Sequence, residues 1–171
     1  QKFDTILTGD KSLSKRPMNR ISDPLKELGA EIYTSNGSLP LTIHGKKLKG
    51  TNFDLEIPSA QIKSGILLAC LNSDGETNII ENKITRDHTE VMLRSFGANI
   101  EVNKINQKKT IKIIGNQELL SKNINIPNDL SSSAFFIVAA LINKNSKIKL
   151  KDINNNPSRN GLILALRKMG A

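Results

Sequence analysis

Hydrophobic positions along the chain recur first at helical and then at strand spacing, and the sequence passes through this change more than once. Met18, Ile21, Leu25 and Leu28 mark one helix, Val91, Met92 and Phe96 a second, and Leu162, Ile163, Leu166 and Met169 a third. All three stretches end alike, in Leu28-Gly29-Ala30, Phe96-Gly97-Ala98 and Met169-Gly170-Ala171, with the glycines 68 and 73 residues apart. A fixed ending at near-constant spacing indicates a repeated unit. A glycine just past the last apolar position is the residue that closes a helix.

After the first two endings the pattern turns to alternation: Glu31-Ile32-Tyr33 leads to Leu41-Thr42-Ile43, and Asn99 to Val102 leads to Thr110 to Ile113. Two strands therefore follow each helix, joined by turns rich in Asn and Gly or Lys. Upstream in each unit stands another helix, Ser59 to Leu71 or Ser131 to Ile142, followed by a short strand at Thr77 to Ile80 or Lys147 to Leu150. The unit reads βαβαββ. The helix from Ser131 is apolar on nearly every side, through Ala134, Phe135, Phe136, Ile137, Val138, Ala139, Leu141 and Ile142, which predicts burial on all faces. The fold expected is α/β, with sheets outside, helices buried and repeats around a pseudo-threefold axis. A doubly wound sheet would need more βα crossovers and a Gly-rich first turn. Pro24 resists this pattern, because inside a helix it costs about 3 kcal/mol unless the helix kinks.

Composition narrows the function classes. With 25 Lys and Arg against 16 Asp and Glu the formal charge is +9, which suits anionic partners. The cations are spread along the chain, aromatic residues make up 4% and Trp is absent, so nucleic acid is not the expected partner. No run of about 18 apolar residues predicts a membrane span. The single Cys70 sets no metal-ligand spacing with His44 or His88, and no metal or cofactor is expected. The ends, Gln1-Lys2-Phe3 without an initiator Met and Ala171 directly after a helix, read as cut from a longer cytoplasmic protein.

Candidate chemistry lies at three helix starts. Ser59 opens the helix after Ile57-Pro58, where its hydroxyl and the next backbone N–H groups can cap the helix or meet an anion. In Thr85-Arg86-Asp87-His88-Thr89-Glu90, Asp87 and Glu90 match a capping box and Arg86 projects just ahead of it. In Ser14-Lys15-Arg16-Pro17, Pro17 suits a first helical position and Arg16 could grip a carboxylate or phosphate bidentately. Each also reads as ordinary helix-end decoration or surface charge. The residues alone support a repeat-built α/β domain with an anion site.

Five strings, Gly9 to Arg20, Ser59 to Ala69, Thr85 to Ala98, Pro127 to Leu141 and Asn156 to Ala171, resemble the EPSP synthase family in the same order and at similar intervals. The Ser-Ala-Gln, Thr85 to Glu90 and Asn156 to Gly161 forms are similar to the subgroup with glyphosate-insensitive members. The resemblance implies an enolpyruvyl transferase fold of two three-repeat domains, here incomplete. Residues 1–128 would belong to the N-terminal-side, substrate-binding domain, and 129–171 would begin the return into the second. It implies transfer of the enolpyruvyl group of phosphoenolpyruvate to the 5-hydroxyl of shikimate 3-phosphate, without a metal, in the pathway to chorismate and the aromatic amino acids. Carried over position by position, Arg16 grips phosphoenolpyruvate, Gln61 stands between both substrates, and Ser59 and Ala60 meet shikimate 3-phosphate. By the same resemblance Arg86 matches the residue that closes on that ligand, and Ala60, where many members have Ser, would offer only its backbone. The family's catalytic carboxylates have no counterpart in this chain, so its implied partners are the two substrates and the remaining parts of the same enzyme. A non-catalytic anion-binding or assembly module reusing this domain stands as the alternative.

Overall fold

The structure, a computed structural model, describes residues 3–171 and divides into two compact units, Gln1–Ser121 and Lys122–Ala171. The first unit begins with strand β1 (Thr5–Leu7), a 3-10 turn at Leu13–Lys15, helix α1 (Asn19–Glu27) and strands β2 (Glu31–Ser35) and β3 (Ser38–His44). These strands form an antiparallel sheet in the order β1-β3-β2. The β2–β3 turn is Asn36-Gly37, both at positive φ, as the tightest hairpins demand.

A complete repeat follows: β4 (Leu48–Lys49), β5 (Asn52–Leu55), α2 (Ala60–Cys70), β6 (Ser73–Asp74), β7 (Glu76–Glu81), α3 (His88–Ser95), β8 (Ile100–Ile105) and β9 (Lys108–Ile114). Its four-stranded sheet runs β5-β7-β9-β8, parallel at β5–β7 and antiparallel at the other two pairings. That mixed order is βαβαββ, not a doubly wound sheet. Strand alternation puts Phe53, Leu55, Ile79, Ile111, Ile113 and Ile100 on one face, and α2 buries Ile62, Ile66, Leu67 and Cys70 in the same core. Ile66 and Leu67 are fully buried, each contributing about 1.5–3 kcal/mol relative to exposure. Leu28 of the first repeat joins this core. A Cβ on Gly65 would overlap Cδ1 of Ile21, so glycine sets the close approach of α1 to α2.

In the second unit, α4 (Leu130–Ile142) and α5 (Gly161–Lys168) flank a single parallel bridge between Asn128 and Ile153. This repeats the order of β5, α2, β7 and α3, with the strand pair reduced to one bridge. Two expectations fail here. Lys147 to Leu150 forms no strand, because within the described residues it finds no partner. The apolar helix α4 buries only Leu130 and Ser133, leaving Phe135 79% and Ile142 76% exposed. Apolar character all round dictates what a helix needs against it, and no sheet of this unit supplies the cover.

The three Gly-Ala endings have one geometry. Gly29, Gly97 and Gly170 take φ of 92°, 85° and 96°. In each, the glycine N–H donates to the carbonyl of Lys26, Arg94 or Arg167, and the alanine N–H to that of Leu25, Leu93 or Leu166. This is the Schellman closure, which satisfies two carbonyls that a helix end leaves free. Helix α1 accommodates Pro24 and still closes this way. It starts at Asn19 and not at Pro17: Met18 is the N-cap, and its N–H is held outside the helix by the Gly37 carbonyl. Gly97→Ala should lower stability by about 1 kcal/mol, since a Cβ is strained at this φ; urea denaturation followed by circular dichroism measures it.

Candidate functional site

The first turns of α1 and α3 both meet α2. Ile21, in the first turn of α1, meets α2 at Gly65. Ser64 of α2 and Thr89, in the first turn of α3, share a hydrogen bond of 2.6 Å. Ser59 is the N-cap of α2, its Oγ accepting from the Ile62 N–H at 3.3 Å while its carbonyl takes the Lys63 N–H. The Ala60 and Gln61 N–H groups occupy the first two helical positions, which have no partner within a helix. Arg86 stands one residue before Asp87, the N-cap of α3. Its side chain is exposed, and no carboxylate among the described residues is paired with it. Arg16, also exposed, lies in the segment leading into α1, where the Met18 N–H donates to the Gly37 carbonyl at 2.7 Å. The five residues thus sit in segments tied together through α2, with two exposed guanidiniums that have no ion-pair partner among the described residues. Such an arrangement favours anions.

Over residues 1–171 the chain matches the profile of the family described as EPSP synthase (3-phosphoshikimate 1-carboxyvinyltransferase). The chain belongs to the EPSP synthase family. It is 46% identical over 171 residues to the 3-phosphoshikimate 1-carboxyvinyltransferase of Listeria welshimeri, covering 98% of this chain and 39% of that protein. The corresponding protein of Ruthia magnifica is 51% identical over 172 residues, with 100% and 39% covered. The EPSP synthase structure from Acinetobacter baumannii superposes with a TM-score of 0.85 at 48% identity, over 100% of this chain and 38% of that one. The chain thus spans about two fifths of the length of these relatives.

Beneath the helix starts this EPSP synthase family chain carries a buried ion cluster that periodicity alone does not single out. Lys63 Nζ lies 3.1 Å from Glu81 Oε2 and 2.8 Å from Glu90 Oε1. Lys109 Nζ lies 3.7 Å from Glu81 Oε2 and 2.5 Å from Glu90 Oε1. All four side chains are essentially removed from water. Glu90 therefore does not close a capping box: the Asp87 side chain makes no capping hydrogen bond, and the carboxylate turns inward to the two lysines. Glu81 Oε1 accepts from Thr85 Oγ1 at 2.5 Å, which fixes the residue directly before Arg86. Glu90 Oε2 is buried without a hydrogen-bond partner among the described residues, and Glu90 lines a cleft of about 340 Å³ with Arg94, Lys104 and Lys109. The signal was present in the sequence as charges on inward positions, Glu81 in phase with Thr77 and Ile79, and Lys109 in phase with Ile111 and Ile113.

Removing one partner of such a cluster leaves an uncompensated buried charge, so Lys109→Met should destabilise the chain by about 3–5 kcal/mol. Urea unfolding should show the double variant Glu90→Leu with Lys109→Met to be less destabilised than Lys109→Met alone.

Proposed function

We propose that this chain supplies part of the substrate site of an EPSP synthase, whose whole protein moves the enolpyruvyl group of phosphoenolpyruvate to the 5-hydroxyl of shikimate 3-phosphate. The observation that carries the proposal is that Ser59, Ala60 and Gln61 at the start of α2 and Arg86 at the start of α3 lie in segments joined by the Ser64–Thr89 hydrogen bond, with no carboxylate paired with Arg86 among the described residues. A phosphate would take the Ser59 hydroxyl, the backbone N–H groups behind it and the planar fork of Arg86. Ala60 contributes only its N–H. Gln61, with a donor and an acceptor on one side chain, can hold a hydroxyl of one substrate and an oxygen of the other. Arg16 would receive phosphoenolpyruvate. Residues 1–128 are assigned to the substrate-binding N-terminal-side domain and 129–171 to the return into the second.

The catalytic acid and base are assigned to the rest of the enzyme, the partner this chain requires. Ordering two anionic reactants against such groups can supply about 7–11 kcal/mol of a barrier, most of which an isolated part of the site forfeits. The forms Ser59-Ala60-Gln61, Thr85 to Glu90 and Asn156 to Gly161 support placing it with the glyphosate-insensitive subgroup. A cytoplasmic location fits a biosynthetic enzyme of this kind. No helix among the described residues is long and apolar enough to cross a membrane.

Adding shikimate 3-phosphate to the ¹⁵N-labelled chain should shift the NMR signals of Ser59, Gln61 and Arg86, and Arg86→Ala should abolish the effect. Unmoved signals at millimolar ligand would sink the assignment. The chain alone should release no phosphate from phosphoenolpyruvate and shikimate 3-phosphate; turnover would require a catalytic group within these residues. In the whole enzyme, Arg16→Ala should chiefly raise KM for phosphoenolpyruvate, and Arg86→Ala that for shikimate 3-phosphate.

A further inference from the structure

Two repeats carry an arginine immediately before the N-cap of their second helix, and the structure shows those arginines in different states. Arg86 precedes Asp87, and Arg159 precedes Asn160, the N-cap of α5; each stands eleven residues before its closing glycine, Gly97 or Gly170. The first helices correspond as closely. Ser59 caps α2 by accepting from Ile62 N–H, and Asp129 caps α4 by accepting from Ser132 N–H, three residues on in both cases. Gln61 and Ser131 then occupy the same second position.

In the later repeat the circuit is closed internally. Arg159 Nη2 donates to Asp129 Oδ1 at 3.2 Å and also to Ser131 Oγ. The guanidinium therefore meets side chains at the N-cap and second helical positions, the two that hold Ser59 and Gln61 in the earlier repeat. There the N-cap is a neutral hydroxyl and, among the described residues, no carboxylate is paired with the arginine. The pair is not a strong stabilising element, because the Asp129 side chain is 53% exposed and the Arg159 side chain 25%.

We infer that Asp129 fills, from within the chain, the anion position that Ser59 leaves open, so that the N-cap residue decides which repeat admits an external anion. This rests on the reading of Ser59, Gln61 and Arg86 as an anion site. The carboxylate suits the position: the Ser132 and Ser131 N–H groups, the Ser132 hydroxyl and the Arg159 charge hold its pKa below the ordinary value, so it stays ionised at neutral pH. An exchange of the two caps should then exchange the two behaviours.

The test uses the whole 171-residue chain, inorganic phosphate as probe, and NMR signals of backbone N–H and arginine Nε–H groups. In the wild type, phosphate should move Arg86 and Gln61 and leave Arg159 and Ser132 still. In Asp129→Ser it should move Arg159 and Ser132 as well, and in Ser59→Asp the Arg86 response should be lost. Asp129→Asn keeps an oxygen to cap Ser132 while removing the charge, and gives the same readout if Asp129→Ser unfolds α4. An unresponsive Arg159 in a folded Asp129 variant overturns the inference whatever Arg86 does. A responsive Arg159 beside an unresponsive wild-type Arg86 upholds the role of Asp129 and overturns the reading of the earlier repeat.

Discussion

The ion cluster of Lys63, Glu81, Glu90 and Lys109 is the constraint on which the complete repeat depends. Its four members come from α2, the end of β7, the first turn of α3 and the start of β9, so one set of contacts fixes two helix starts against the sheet. Desolvating four charges is costly, and only close, mutually satisfying geometry offsets the cost. An apolar cluster would hold these elements together with far less angular demand. The later repeat has Ser133 and Ile163 at the positions corresponding to Lys63 and Glu90, so it does not carry the cluster. Close to the cluster along the chain stand Gln61, two positions from Lys63, and Thr85, which is held by Glu81 and adjoins Arg86.

Repetition gives this site its shape. A βαβαββ unit places its two helix N-termini side by side, which concentrates unpaired N–H groups and positive dipole ends at one edge. The result must be resolved electrostatically, and the two units resolve it differently. In one, Asp129 supplies a negative charge; in the other, the N-cap is a neutral serine and the arginine is exposed.

Burial also explains where the net charge resides. Two of the lysines that a composition count assigns to solvated surface are in fact among the most buried side chains, and they balance two glutamates there. The excess of cations is therefore carried by the surface, including Arg16 and Arg86, where it is available to anionic ligands.

Much of this protein was legible in the sequence because its signals are local. The Gly-Ala endings announced three Schellman closures, the Asn-Gly turn a hairpin, and the alternating segments the inward faces of β7, β8 and β9; all depend on a few neighbouring residues. The bounds of α2 and α3 were legible for the same reason, since caps are read within one turn. What local pattern could not decide was the destination of charged side chains: Glu90 fits a capping box by spacing, but two lysines 27 positions before it and 19 after it draw it inward. Nor could it decide whether Lys147 to Leu150 pairs or α4 is covered, because a strand needs a partner and an apolar helix needs a neighbour. The sequence by itself determined the bounds of α2 and α3 and the three glycine closures, through dihedral preference and periodicity. Tertiary structure alone decided which arginine is satisfied and which is left open, because Coulomb and hydrogen-bond partners are fixed by distance in space and not along the chain.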